Sequence, residues 1–432
     1  MEIIYDLIGI GIGPFNLGLA ALAASIPDFN CIFFDQNPEF NWHPGLLMDN
    51  TRLQVPFLAD LVTLADPSNP FTYVWFLKSM NRLTRFAIHE NYYPTRKEYT
   101  AYCQWVAAQL NALNFGMHCE EIHYDKRLDC YQIRVVNGYT RESKLFHGKH
   151  LAIGIGTTPN IPDCVKDLKK QDSNAFPPNI FHSSEYLFRK PALRLNTSIT
   201  IVGSGQSAAE IFYDLLQSQF EIETLNWFTR ADRFYPMEYS KLTLEMSSPD
   251  YIEYFYSLSA EKKAGILAGQ AMLYKGINFG LINAIYDELY RLSLEDRKSK
   301  ESLQSNCELK SVSVNPDGSL DLRFYHTQME KPFKNQTDTL ILATGYEYGV
   351  PSFLEPVKEL IQWTSDGFYQ INRNYSIDRN NRIFVQNADL HSHGFNSADL
   401  GMGPYRNGII LNSILCGEQF KLEKNIAFQH FG

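Results

Sequence analysis

Two glycine-rich segments carry the clearest chemistry in this chain, Gly11-Ile12-Gly13-Pro14-Phe15-Asn16 and Gly203-Ser204-Gly205-Gln206-Ser207-Ala208, about 190 residues apart. Each follows an apolar β-like run, Leu7-Ile8-Gly9-Ile10 and Ile199-Thr200-Ile201-Val202, and each opens a stretch of helix formers. A dinucleotide needs one glycine for a tight turn and another where the backbone nears the pyrophosphate, while N–H groups at the helix start face the negative charge. Gly11 and Gly13 fill those places in the first segment, with Pro14 opening the helix and Asn16 at the third position, usually small for helix-to-strand packing. Gly203 and Gly205 fill them in the second, with Gln206 and Ser207 at the helix start, Ala208 third and Glu210 in the first turn. One such motif suggests a bound dinucleotide. Two suggest a flavin and a nicotinamide passing electrons between them.

The residues beyond each motif assign the two sites. Asp35 ends the second strand, Phe29 to Phe34, 24 residues after Gly11, near the ~20 expected for a carboxylate bonding a ribose hydroxyl. That fits the adenosine of FAD or NAD. In the second unit Leu225 to Phe228 ends at Thr229 and Arg230, where an acidic residue would favour NAD. A guanidinium there can grip a 2′-phosphate bidentately and selects NADPH. A third element, Thr339-Leu340-Ile341-Leu342-Ala343-Thr344-Gly345, is an apolar strand whose Ala-Thr-Gly end suits a close pass by a nucleotide. Polar and aromatic residues gather at Trp42, His43 and Gln54, and again at His393, Gly394 and Asn396; a lone histidine of this kind is more often structural than catalytic. The chain has no Cys-x-x-Cys for disulfide redox chemistry and no His-Glu-x-x-His or other metal spacing.

These segments predict an α/β chain with two Rossmann-like dinucleotide domains and a smaller helical region. The first, FAD-binding domain takes 1–190 and 345–432, with an aromatic, helical insertion at 51–120 that includes an amphipathic helix from Tyr99 to Leu113. The NADPH domain takes 191–235 and 305–344, and a mainly helical substrate region takes 236–304. Strands are expected at 132–136, at 149–153 and around the turn Asn315-Pro316-Asp317-Gly318, with a Pro- and Asn-rich linker from Thr158 to Asn179.

At 432 residues the chain has the length of two to three domains. The balance of 39 basic against 48 acidic residues, net charge −9, argues against nucleic acid and an anionic membrane surface. Seven scattered cysteines read as thiols of a reducing cytosol. Glu2 and Asp6 stand where a signal peptide carries basic residues, and no transmembrane segment is expected.

Nearly the whole chain resembles the N-hydroxylating flavoprotein monooxygenases of siderophore biosynthesis, the lysine and ornithine N-monooxygenases. The resemblance rests on Tyr5-Asp6-Leu7 through Gly13-Pro14-Phe15-Asn16-Leu17, on Trp42-His43-Pro44-Gly45, on His182-Ser183-Ser184-Glu185-Tyr186, on Gly203 through Glu210, and on Asp338-x3-Leu342-Ala343-Thr344-Gly345-Tyr346-x4-Pro351. Phe176-x-Pro178-x3-His182-x3-Tyr186 is similar to the class B flavin monooxygenase signature with Pro for Gly, which fits the N-hydroxylating branch. The resemblance implies that NADPH reduces FAD, that O2 adds to give a C4a-hydroperoxyflavin, and that a neutral primary amine attacks its distal oxygen. It further implies that Trp42, His43 and Gln54 contact the flavin side, that Arg230 holds NADPH, that Asn278 lies near the amine and the nicotinamide ribose, and that the enzyme is a cytoplasmic homo-oligomer, a tetramer.

Two positions depart from the amino-acid hydroxylases. Where they carry a Lys and an Asn for the substrate α-carboxylate, this chain matches Ala59 and Leu244. A carboxylate left in a pocket without its partners costs several kcal/mol, so the expected substrate is a decarboxylated amine. Putrescine, cadaverine and diaminopropane come first and histamine second, with Glu245 or Asp60 as candidate partners for a distal ammonium. The alternatives are a lysine or ornithine hydroxylase, a general flavin monooxygenase, and a flavin redox sensor without turnover.

Overall fold

A computed structural model describes residues 3–168, 176–195, 198–218, 222–295 and 300–432; residues 169–175 of the expected linker lie outside them. The apolar run before the first fingerprint forms β1 (Ile4–Ile10), whose last four residues are buried. With β2 (Cys31–Asp35), β3 (Leu113–Phe115), β4 (Met117–Asp125), β5 (Cys130–Asn137) and β6 (Ser143–Ile153) it builds a sheet ordered β3-β2-β1-β6-β5-β4. Pairing is parallel from β3 to β6 and antiparallel from β6 to β4.

The chain then leaves through β7 (Thr158–Pro159) for a second unit. There β8 (Ile180–His182), β9 (Ser198–Val202), β10 (Thr224–Phe228), β11 (Glu301–Gln304) and, after the meander β12 (Cys307–Val314), β13 (Leu320–His326) and β14 (Lys331–Thr337), the strand β15 (Thr339–Leu342) form a parallel sheet ordered β11-β10-β9-β15-β8. The chain returns through β16 (Tyr346–Glu347), which pairs antiparallel with β7, and β17 (Ile383–Val385) joins the first sheet beside β6. One nucleotide unit thus interrupts the other, and two neighbouring crossings connect them.

The edges differ from the expected divisions. β8 and β11 belong to the second sheet, on the far sides of the boundaries drawn at 190 and 305, because β8 pairs with β15 and β11 with β10. The helix expected from Tyr99 to Leu113 runs from Arg96 to Ala107: Thr95 caps it, and the chain must straighten by Leu113 to add β3 to the sheet. Between 236 and 295 the chain is mainly helical, with its longest helix at Phe279–Ser293.

Candidate functional site

The two glycines of each fingerprint do different work. Gly11 has φ +86, and a methyl group on it would lie 2.4 Å from the Gly154 carbonyl oxygen at the end of β6. A methyl on Gly203 would lie 2.1 Å from the Ala343 oxygen at the end of β15. These first glycines let strand ends close on the turn. The second glycines instead face open space: a methyl on Gly13 would meet no atom within 4 Å, and one on Gly205 only the Lys275 carbonyl at 3.5 Å. Both are N-caps without a side-chain cap, at the starts of Pro14–Ala23 and Gln206–Leu216. N–H groups with no side-chain cap, beside a glycine whose outer side is open, fit a pyrophosphate.

Asp35 Oδ2 accepts the Ile12 N–H at 2.6 Å and Oδ1 accepts the Asn37 N–H at 2.8 Å. Oδ1 also accepts from the Asn37 side-chain amide at 2.8 Å, so it is Oδ2 that keeps a lone pair for a ribose hydroxyl. Asn16, in the place of the usual small residue, is buried and donates to the carbonyls of Gly11 at 2.8 Å, Ala152 at 3.2 Å and Ile10 at 3.3 Å. It is a clamp between the turn, β1 and β6. Arg230 stands exposed just past the end of β10, with no hydrogen bond or ion pair to another described residue.

Between the two cradles the expected polar residues meet. The Gln54 amide donates to Gln206 Oε1 at 3.3 Å and to the Gly276 carbonyl at 3.2 Å; Gln206 Oε1 also accepts the Asn278 N–H at 2.8 Å. The Asn278 side chain caps Phe279–Ser293 by accepting the Leu281 N–H at 3.2 Å. The Tyr239 hydroxyl lies beside the Asn278 and Gln54 amides, and burial pushes it up to about 12, so it stays a neutral phenol. Gln206 Nε2 donates to Glu210 Oε1 at 2.8 Å. Glu210 falls just past the first helical turn, its buried carboxylate paired with Arg96 at 2.9 Å.

An aromatic and imidazole wall adjoins this network. Trp42 packs on His43 with centroids 5.1 Å apart, and Tyr346 lies 5.6 Å from His43 and 5.0 Å from His182. Burial lowers both histidines to about 4, with Arg96 and His182 adding to the effect on His43. His182 Nε2 must carry the proton, since its partner at 3.0 Å is the Gly345 carbonyl. The Thr344 hydroxyl donates to the Asn160 carbonyl, tying the Ala343-Thr344-Gly345 crossing to the chain beside it. His393, Gly394 and Asn396 are structural: His393 stacks on Tyr375 at 4.2 Å, Gly394 supplies a turn at φ +85, and Asn396 donates to the Met246 carbonyl at 2.9 Å.

On the expected substrate side, Ala59 is buried with its methyl near Gly401, while Leu244 is exposed. Glu245 and Asp60 are committed elsewhere. Glu245 accepts the Phe428 and Gln429 N–H groups and so holds the C-terminal segment. Asp60 accepts from the Val62, Thr63 and Tyr73 N–H groups and the Thr63 hydroxyl, closing its own loop. Tyr239 and Arg96 were missed because no motif marks them, and Tyr346 and Ser184, whose hydroxyl lies 3.0 Å from His182 Nδ1, stand in segments that carry the resemblance without being singled out as site residues; their distance along the chain from Gln54 and Gln206 hides their closeness.

The sequence profile of the L-lysine 6-monooxygenase/L-ornithine 5-monooxygenase family matches residues 3–348. The chain is 46% identical over 429 residues to a putrescine N-hydroxylase of Shewanella oneidensis, covering 99% of this chain and 84% of that one. It is 44% identical to a putrescine N-hydroxylase of Acinetobacter baumannii, covering 99% and 94%. The FAD-bound crystal structure of a desferrioxamine-pathway cadaverine monooxygenase from Erwinia amylovora superposes with a TM-score of 0.95 at 45% identity, covering 100% and 99% of the two chains. The paired cradles, the amide network between them and this likeness over almost every residue agree: the chain belongs to the L-lysine 6-monooxygenase/L-ornithine 5-monooxygenase family.

Proposed function

We propose that this protein N-hydroxylates a primary aliphatic diamine of the putrescine or cadaverine class, with FAD, NADPH and O2, and supplies a hydroxylamine for siderophore assembly. One observation carries the reading: the uncharged amides of Gln54, Gln206 and Asn278 link the first unit to the second fingerprint helix. The names of its relatives point to the same substrates.

Bound FAD, reduced by NADPH, supplies the oxygen-activating chemistry; binding and orientation fall to the chain. The Gly11–Gly13 turn and Asp35 hold FAD, and the Gly203–Gly205 turn, Ser207 and Arg230 hold NADPH. A free alkylamine has a pKa of about 10, so the site must favour its neutral form. Neutral partners do that. Asn278 Oδ1 already accepts the Leu281 N–H and has a second lone pair for an amine N–H, an arrangement that leaves the nitrogen lone pair free to react. The phenol of Tyr239 adds a second uncharged group beside it.

The test is a panel of putrescine, cadaverine, histamine, lysine and ornithine at equal concentration, with hydroxylated product and NADPH oxidation both measured. Coupled turnover confined to the two amino acids overturns the reading.

The cytoplasm and an assembly of identical copies, a tetramer, complete the proposal. All seven cysteines are free thiols, four of them buried. Among the described residues no helix is long and apolar enough to cross a membrane. Exposed Phe279, Tyr286, Tyr290 and Leu294, spaced seven, four and four apart along the helix Phe279–Ser293 and its cap, form one apolar face. A second copy is the occupant that such a face fits.

A further inference from the structure

Among the described residues, one carboxylate beside the expected substrate side has no cation within ion-pair distance. Asp399 caps the short turn Leu400–Met402, its Oδ1 accepting the Gly401 N–H at 2.8 Å. The Ser247 hydroxyl stands beside it, and the Ser247 N–H donates to the Leu244 carbonyl at 2.9 Å. A methyl group built on Gly401 would lie 3.3 Å from Asp399 Oδ1 and 3.7 Å from the Ala59 methyl. The carboxylate and Ala59 therefore both adjoin Gly401, which puts no side chain between them. Leu400 and Gly403, on the same segment, line a small cavity with Pro14 and Phe15, which sets this segment against the first fingerprint helix.

Asp399 retains part of its surface, while the protein crowded around it raises its carboxyl. Among the described residues its partners are neutral donors. Arg406, the cation that acts on it from a distance, gives its guanidinium to the Ser397 and Asn396 carbonyls and lies 3.8 Å from Asp389. A carboxylate held in this way is costly unless a cation completes it. Glu245 and Asp60, the other acids in these segments, have their oxygens occupied by backbone N–H groups.

We propose that Asp399 binds the second ammonium of the diamine, beside Ala59 and Gly401, and so selects diamines over monoamines. The proposal rests on the reading of this protein as a diamine hydroxylase. The ammonium completes the ion pair, and its N–H groups replace the water lost on entry.

The test compares putrescine with butylamine and cadaverine with pentylamine in the FAD-loaded enzyme and in Asp399→Asn. Asn keeps the capping oxygen, and thermal melting with NADPH-driven flavin reduction in the absence of amine reports whether the variant is folded. Expected is a fall of about ten- to hundredfold in the diamine-to-monoamine ratio of kcat/KM, through the diamine KM. Gly401→Ala, which sets a methyl 3.3 Å from the Asp399 oxygen and spares the carboxylate, is expected to lower the same ratio. A ratio unchanged in both variants overturns the role of Asp399 and leaves the diamine reading standing. No hydroxylated product from any amine in the unmodified enzyme overturns that reading itself.

Discussion

Arg96 and Glu210 form a buried ion pair between the two nucleotide units: Arg96 Nη2 lies 2.9 Å from Glu210 Oε1, with side chains 13% and 3% exposed. Arg96 opens a helix of the first unit, and Glu210 belongs to the second fingerprint helix. Glu210 Oε1 also accepts from Gln206, whose own oxygen receives Gln54 and Asn278. The pair therefore anchors the amide network as well as the junction.

Removing one partner strands a buried charge. Arg96→Met or Glu210→Gln alone should each cost about 3–5 kcal/mol, read as a lower melting temperature. The double variant should lose less than the two singles together; additive losses would mean that the two residues do not act as a pair.

Acid should destabilise the protein well before its carboxylates titrate. His43, His182 and His393 are each lowered by burial from 6.5 to about 4. Below pH 6.5 the unfolded chain binds protons that the folded one refuses, so stability present above 6.5 is lost as pH falls towards about 4. Melting temperatures across that window should drop steadily, and His393→Gln should flatten the slope. A melting temperature constant down to about pH 4.5 contradicts this account.

Asn16→Gly would bring the third fingerprint position closer to the usual small residue, and should nonetheless harm the protein. It removes a side chain that donates to three carbonyls; Ile10 keeps the Gly154 N–H, and the hydrogen bonds lost at the others cost about 1–3 kcal/mol. Expected are a lower melting temperature and loss of FAD on gel filtration; retention of FAD with unchanged melting would show the clamp to be dispensable.

Arg230 is exposed at the end of β10, free to meet a 2′-phosphate. Arg230→Ala should raise the KM for NADPH by about ten- to hundredfold and hardly change that for NADH. Equal effects on both coenzymes would remove Arg230 from 2′-phosphate recognition.

The apolar face of Phe279–Ser293 predicts that Tyr286→Glu with Tyr290→Glu, both exposed, shifts the protein to smaller species in analytical ultracentrifugation. An unchanged sedimentation coefficient would free this face from any interface.

The sequence alone determined the class of chemistry. A glycine turn after an apolar strand must bring backbone N–H groups to a phosphate, because the strand's burial and the helix start dictate where the turn lies, and local rules of this kind are legible along the chain. The same holds for Asp35 and for the strand ending at Ala343, which closes on Gly203. Asn16 misled the local reading because its value lies in carbonyls of β1 and β6, the latter 136 residues away. The boundaries at 190 and 305 misplaced β8 and β11 because parallel pairing is a property of the sheet. Glu245 and Asp60 were plausible ammonium partners until folding gave their oxygens to backbone N–H groups. Only the tertiary structure brings Asp399 beside Ala59, and Arg96 to Glu210 across 114 positions. Charges separated along a sequence interact only where packing excludes the water between them.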